Sequence, residues 1–515
     1  MSGKPAHESG TSPVADDAAQ DETLDEPQDK TARAQQESQA PTSEGPGDSS
    51  SASDAAEQSE GASTPDGADQ PEKPDATGTP GSAGKPGAKG TSRRAMFTGA
   101  GLGAALAGLA GVAGGRAWEA SRRPEEAILT TYPFRGDHQA GITTPAQDNM
   151  FTAAFDVSTT AKVEDLKKLL SDWAVAAEQM CAGELIGGEP SSNKQFPPKD
   201  TGEAWGYKPN GLTITFGVGK SLFVDAQGQD RFGLAGKLPA ILSEGMPSFR
   251  GDQLHAAQSD GDLLVQACSN DAQVCVHAIR NLARIAFGTA ALKWSQVGYG
   301  RTSSTSVDQE TPRNLFGFKD GTNNIKAEDS TEQLNEHLWV QSGDDAGSWM
   351  AGGTYYVARR IHMFAEIWDR IRLIEQEQIM GRDKRYGAPL SITAPTKSSE
   401  EFTAVDYAAK DDKGETLVPE DAHIAVVSPE QNQGRRMLRR GYNYTDGTDS
   451  LGRLQTGLFF VAFVRDPRTN FYPILDRMTK SDALQEYLQH EASALFAIPP
   501  GMKKGDTMIA ATLFE

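Results

Sequence analysis

Between residues 147 and 513 the hydrophobic period of this chain switches between two and about 3.6, and the switches come twice in a similar order. Asn149–Val157 reads as a strand, after which Val163, Leu166, Leu170, Trp173 and Ala177 recur at helical spacing. Residues 211–218 and 262–268 return to strand character. Residues 271–287 then place Val274, Ala278, Leu282 and Ile285 on one helical face, and 292–299 closes the set as a strand. The second half gives a strand at 353–363, a helix at 368–380, and strands at 423–427, 435–444 and 458–464. A helix at 481–490 and short apolar runs at 494–498 and 507–513 follow.

A strand-helix-strand-strand-helix-strand order written twice predicts an α+β fold of two ferredoxin-like βαββαβ modules. Antiparallel sheets packed face to face with helices outside, in the manner of a dimeric α+β barrel, bury the apolar faces of both element types. The modules are expected at 125–315 and 316–515. Such modules host many activities, so the fold alone leaves function open.

Residues 1–90 are Ser, Gly, Pro, Ala, Asp, Glu and Gln with almost no large apolar side chains. A segment like this buries too little surface to offset the entropy of ordering it, and it reads as a disordered tail. It holds 18 acidic and 6 basic residues, net −12 of the chain's −21. The rest is only mildly acidic, which argues against nucleic acid as a partner. Residues 91–118 carry Arg93-Arg94 before an apolar run rich in Ala and Gly. That run resembles a twin-arginine export signal, although Met96-Phe97 stands where Phe-Leu is usual and the signal sits behind the acidic tail. It implies the twin-arginine translocase as a partner and a periplasmic, extracellular or envelope-associated product starting near residue 118. An uncleaved membrane anchor, or a start codon assigned upstream of the true one, is the alternative. Cys181, Cys268 and Cys275 form neither a CxxC motif nor an even disulfide framework, and are expected as buried free thiols.

The chemistry concentrates in three places. Gly317-Phe318-Lys319-Asp320-Gly321-Thr322-Asn323 sets an acid between glycines; by itself Asp-Gly marks a turn. His423 follows Pro419-Glu420-Asp421, a setting in which a histidine is ordinarily at the surface or capping an element. Arg439 opens the run Arg439-Arg440-Gly441-Tyr442, where a strand arginine is ordinarily solvated. An acid can move a proton, an imidazole can bind iron, and a guanidinium can hold developing negative charge.

Together these segments resemble the dye-decolourising peroxidases, a haem family. Gly136-Asp137-His138-Gln139-Ala140-Gly141-Ile142 and Phe216-Gly217-Val218-Gly219 extend the likeness, which runs from about 125 to 512. Gly381-Arg382-Asp383-Lys384 with Gly387-Ala388-Pro389-Leu390 matches the iron-uptake-linked deferrochelatase/peroxidase branch. The resemblance implies one haem b per chain, bound in the C-terminal module, with His423 as sole protein ligand to iron. It implies Asp320 as distal acid/base, working best when conditions are acidic or its pKa is raised by burial, and Arg439 as distal charge stabiliser. Arg440 is the fallback, and only one of the two arginines can face the haem. It also implies haem contacts from Gly321, Thr322, Asn323, Ser428 and Pro429; Glu430 stands where the branch has a basic residue. Asp482 and Glu486 are the candidates for the carboxylate behind His423, and the remaining histidines are expected to be structural. The implied activity is reduction of hydrogen peroxide and oxidation of an organic reductant through a ferryl state, with Tyr442, Trp339 and Trp349 as candidate surface conduits for electrons. The alternatives are a deferrochelatase that releases iron from haem with the porphyrin intact, served by iron-uptake membrane partners, and a non-catalytic haem carrier. Whether the chain forms a homo-oligomer is left open.

Overall fold

Strand alternation divides the described chain into two apolar sets. In the computed structural model, which describes residues 129–188 and 193–515, alternate residues of each strand enter different clusters. On β3 (Leu263–Ser269) Leu264 and Cys268 face one way, Val265 and Ala267 the other. On β5 (Thr354–Met363) Tyr356 and Ala358 join the first set, Tyr355 and Val357 the second. Successive Cβ atoms of a strand point to opposite faces, so this sheet has two buried faces.

The first face is the inside of a closed sheet. Among the described residues the strands are β1 (Asn149–Val157), β2 (Thr213–Gly219), β3, β4 (Ala290–Arg301), β5, β6 (Leu438–Arg439), β7 (Tyr442–Thr448), β8 (Leu454–Val464) and β9 (Leu488–Ile498). Their order is β5-β9-β2-β3-β1-β4-β7-β8-β6, and β5 also pairs with β8, which closes the ring. Every ladder is antiparallel. The expected antiparallel, barrel-like arrangement holds: the halves, ordered β4-β1-β3-β2 and β9-β5-β8-β7, face each other across one interior cluster and also join edge to edge through β4–β7 and β2–β9. Closure removes the open edges that would otherwise display unpaired N–H and C=O groups.

The second face is covered by helices. Helix α1 (Val163–Cys181) starts where Asp165 accepts the N–H of Lys162 at 2.9 Å, and buries Leu166, Leu170, Trp173 and Ala177 as its periodicity predicts. Helix α2 (Ala272–Ala286) is capped by Asp271, which accepts from Gln273 N at 2.8 Å, and buries Val274, Ala278 and Leu282. Such a cap stabilises a helix by about 1 kcal/mol.

The second half departs from expectation in four places. The helix at 368–380 is two pieces, α3 (Ala365–Trp368) and α4 (Leu373–Met380). The strand at 423–427 is a single helical turn, α5 (His423–Val426). A four-residue apolar run cannot distinguish a strand from a buried turn, and both edges of β8 are already taken by β5 and by β6–β7. The strand at 435–444 breaks between β6 and β7 at Arg440-Gly441, although Arg440 N still donates to Val461 O at 2.8 Å. The helix at 481–490 shrinks to a 3₁₀ turn, Ala483–Tyr487, and the longer helix lies earlier, as α6 (Tyr472–Ser481), with Pro473 in its first turn, where a missing N–H costs nothing. Beyond it Leu488 and Gln489 pair with Met363 and His362, so β9 begins where a helix was expected to end.

The three cysteines are free and buried, and burial pushes the Cys181 thiol up to about 12. Among the described residues no helix is long and apolar enough to cross a membrane. The tail at 1–90 and the export signal at 91–118 lie outside the described residues.

Candidate active site

Helices cover the outer face of the sheet incompletely around β5, β8 and β9. There the sheet, α5, α6 and the loop 314–323 enclose a cavity of about 190 Å³. Arg359, Ile361 and Met363 of β5, Leu458 and Phe460 of β8, and Leu488 and His490 of β9 form its floor. Ile474, Leu475 and Met478 of α6 form an apolar wall.

His423, Asp320 and Arg439, more than a hundred residues apart at the extremes, all line this cavity. His423 is the first residue of α5, not the start of a strand, and it is buried. Its Nδ1 lies 2.7 Å from Asp482 Oδ2. Of the two carboxylates proposed for this place Asp482 fills it, while Glu486 is exposed. Asp482 sits at the end of α6 with its side chain fully buried, and its other oxygen accepts the Leu484 N–H at 2.9 Å. Burial disfavours a charged imidazole, but the Asp482 carboxylate outweighs it and raises the His423 pKa above its ordinary value. With Nδ1 engaged, Nε2 is the nitrogen left for the cavity. Asp482→Asn should weaken any iron bound at Nε2, or the activity that depends on it, by about 10–100-fold, as measured by metal-site affinity and turnover. An unchanged affinity would mean that the carboxylate does not orient the ring.

Asp320 and Arg439 form an ion pair, Arg439 Nη1 to Asp320 Oδ1 at 2.9 Å, with each side chain about one-fifth exposed. Burial pushes the Asp320 carboxyl upward, but Arg439 beside it, with His423 further off, holds it below the usual carboxylate range. Of the two conditions expected to favour this acid, acidic surroundings or a pKa raised by burial, the second is not met, because the ion pair wins. The loop carrying Asp320 is held by Phe316 and Phe318, whose rings lie 4.4 and 5.9 Å from that of Trp368. Gly321 has φ +87°, and a Cβ there would lie 2.9 Å from Ser303 Oγ and 3.0 Å from its Cα. Only glycine suits that conformation and clearance. Thr322 and Asn323 line the cavity, and Thr322 Oγ1 is buried without a partner among the described residues, as are few polar atoms in a folded protein.

Alternation decides between the paired arginines. Arg439 points outward to the cavity. Arg440 points into the closed sheet, fully buried, where it bonds Gln147 Oε1 and donates to Thr144 O at 2.6 Å. Ser428 and Pro429 also line the cavity.

Several residues were not singled out in the sequence. Asn324 clamps the Arg439 backbone, accepting its N–H at 2.7 Å and donating to its C=O at 2.9 Å. Its place beside the Asp320 motif was the only available signal. Arg382, buried, lines the cavity and donates to Gly387 O at 2.6 Å and Glu401 O at 3.0 Å. Arg435 and Arg436 reach the cavity, although Glu430 does not supply the basic residue expected after Pro429. His490, expected to be purely structural, is on the cavity floor. Tyr442, Trp339 and Trp349 are all buried, so none is a surface conduit; Tyr442 lies inside the closed sheet and Trp339 stacks on His138 at 3.6 Å.

Known proteins are similar to most of the described chain. The family model for the Dyp-type peroxidase N-terminal region matches residues 139–300, and that for the C-terminal region matches 311–503. The deferrochelatase of Yersinia pseudotuberculosis serotype I is 36% identical over 390 residues, covering 74% of this chain and 85% of that protein. The deferrochelatase of Escherichia coli O6:K15:H31 is 36% identical over 390 residues, covering 74% and 87%. Among solved structures, the DyP-type peroxidase of Streptomyces coelicolor aligns with a TM-score of 0.68 at 36% identity, over 76% of this chain and 98% of that one. The oxyferrous complex of DtpA from Streptomyces lividans aligns at 0.67 and 36%, over 76% and 99%.

Proposed function

This chain belongs to the Dyp-type peroxidase family of haem-dependent enzymes, and from that premise we propose that its cavity holds one haem b between His423 and the Asp320–Arg439 pair. One observation carries this reading: a histidine backed by a buried carboxylate and an ion-paired acid line the same apolar cavity. The residues present suit the group. A flat macrocycle needs a large apolar slot, and the space above Ile361, Met363 and Phe460 supplies one. An axial ligand needs a ring nitrogen held in place by a partner on its other nitrogen, which Asp482 provides.

Haem iron, when bound, supplies the redox chemistry by which peroxide is cleaved. Asp320 takes the proton from one peroxide oxygen and delivers it to the other, which leaves as water. Arg439 stabilises negative charge as it develops and keeps Asp320 in its base form. Asn324 fixes the arginine's backbone and therefore the pair's geometry. His423 holds the opposite side, oriented by Asp482. Gly321, Thr322, Asn323, Ser428 and Pro429 border the macrocycle. Each half of the closed sheet corresponds to a ferredoxin-like module, with the haem against the second. Peroxide and an organic donor are the substrates, and export follows the twin-arginine route.

The pH profile of kcat/KM for peroxide tests this assignment. Asp320 works as a base only above its folded pKa, which Arg439 lowers. The wild-type acid limb should therefore lie below the ordinary carboxylate value. In Arg439→Leu the largest influence opposing burial is gone, so the limb should move to higher pH. The maximal rate should also fall by about 10²–10³-fold as the charge stabiliser is lost. A limb that stays in place would remove Arg439 from this role.

The relatives named deferrochelatase favour a second reading, release of iron from haem with the porphyrin intact. Incubation with haem in the absence of peroxide, followed by metal-free porphyrin fluorescence, distinguishes them. An Asp320→Asn variant that loses peroxide turnover but still releases iron would separate the two activities.

A further inference from the structure

The floor of the cavity carries a polar group that the peroxidase reading does not use. Arg359 on β5 and His490 on β9 sit on adjacent paired strands, His490 opposite Ile361, and both line the cavity. Arg359 is 1% exposed and ion-paired to Asp252. Its Nε–H donates to His490 Nδ1 at 3.2 Å. An imidazole whose Nδ1 accepts a hydrogen bond carries its proton on Nε2 when neutral. Burial and the adjacent Arg359 charge keep the ring neutral, lowering its pKa to about 3. His490 is 3% exposed, and its Nε2 is buried without a partner among the described residues. The result is an N–H donor with a fixed tautomer and an unmet bond. Buried donors are almost always paired, so this one points to an acceptor supplied by what fills the cavity. A nearby guanidinium favours an anionic acceptor, and a carboxylate gives the stronger, charge-assisted bond.

We propose that His490 Nε2–H, held by Arg359, receives one carboxylate side arm of the bound tetrapyrrole and so sets the rotation of the macrocycle within the cavity. This rests on the haem-pocket reading above. Apolar walls by themselves hold a flat ring in its plane but give no single rotation within it; a directional contact on the floor, beside the arginines Arg382, Arg435 and Arg436 that also line the cavity, adds a fixed point.

Titration of the haem-free full-length chain with metal-free protoporphyrin IX and with its dimethyl ester, followed by fluorescence, tests the proposal without turnover. The wild-type chain should prefer the free acid. His490→Leu should cut that preference by about tenfold, the scale of one charge-assisted hydrogen bond. His490→Gln, whose amide can accept from Arg359 and donate to the ligand, should restore most of it, which excludes a merely structural role. A preference unmoved by His490→Leu, or an equal loss for both ligands in both variants, overturns the proposal while leaving the pocket reading intact. Failure of the wild-type chain to bind either ligand overturns the pocket reading, and the proposal with it.

Discussion

Asp320→Asn should lower kcat/KM for peroxide by about 10²–10⁴-fold, the range that a positioned acid/base supplies. The amide keeps the shape of the carboxylate but cannot accept and return a proton. It also removes the charge opposite Arg439. Exposed ion pairs are worth about 0–1 kcal/mol, whereas breaking a buried pair costs about 3–5 kcal/mol. With both side chains about one-fifth exposed, the loss of stability should fall between these limits. Steady-state kinetics, haem titration and thermal melting on the same preparation separate the effects: turnover collapses, haem affinity changes little, and the melt moves modestly. A variant that turns over peroxide at the wild-type rate would end the assignment of Asp320 as the proton carrier.

His423→Ala should abolish the axial bond and reduce haem retention by more than the about 10–100-fold that loss of an outer-shell partner costs. The same change leaves the Asp482 carboxylate, which is fully buried, without its imidazole. A buried charge stripped of its partner typically costs about 3–5 kcal/mol, so the haem-free variant should also melt earlier than the wild type. The space left by the ring can take free imidazole, and added imidazole should restore iron ligation, seen as recovery of the absorption spectrum of the bound haem. His423→Ala that binds haem with unchanged affinity and spectrum would place the iron ligand elsewhere.

The sequence was most legible where a pattern repeats over many residues. The helices α1 and α2 and strands β1 to β5 stand close to where periodicity put them, because a long amphipathic segment has one face to bury and one way to bury it. It was least legible at short apolar runs. His423–Val426 is one helical turn because the neighbouring strands already have partners, and no local signal carries that information. The expected helix at 481–490 failed for a related reason: residues from Leu488 onward complete the ladder with β5, and pairing overrode local preference. That the two facing sheets also pair along their edges, and so close into one, rests on strands from different halves of the chain.

At the site the division is equally physical. By itself the sequence determined which residue types stand at Asp320, His423 and Arg439, and that Arg439 and Arg440 must face opposite ways, because strand alternation is a local rule. Asp482 could be narrowed to a pair of candidates and no further. Only the tertiary structure decided that Asp482 meets His423, that Arg439 lowers the Asp320 pKa against the pull of burial, and that Arg359 leaves His490, on the cavity floor, with a buried donor that has no partner among the described residues. Each of these depends on distances between atoms far apart in the chain, and electrostatic and hydrogen-bond energies are set by those distances and by the exclusion of water around them.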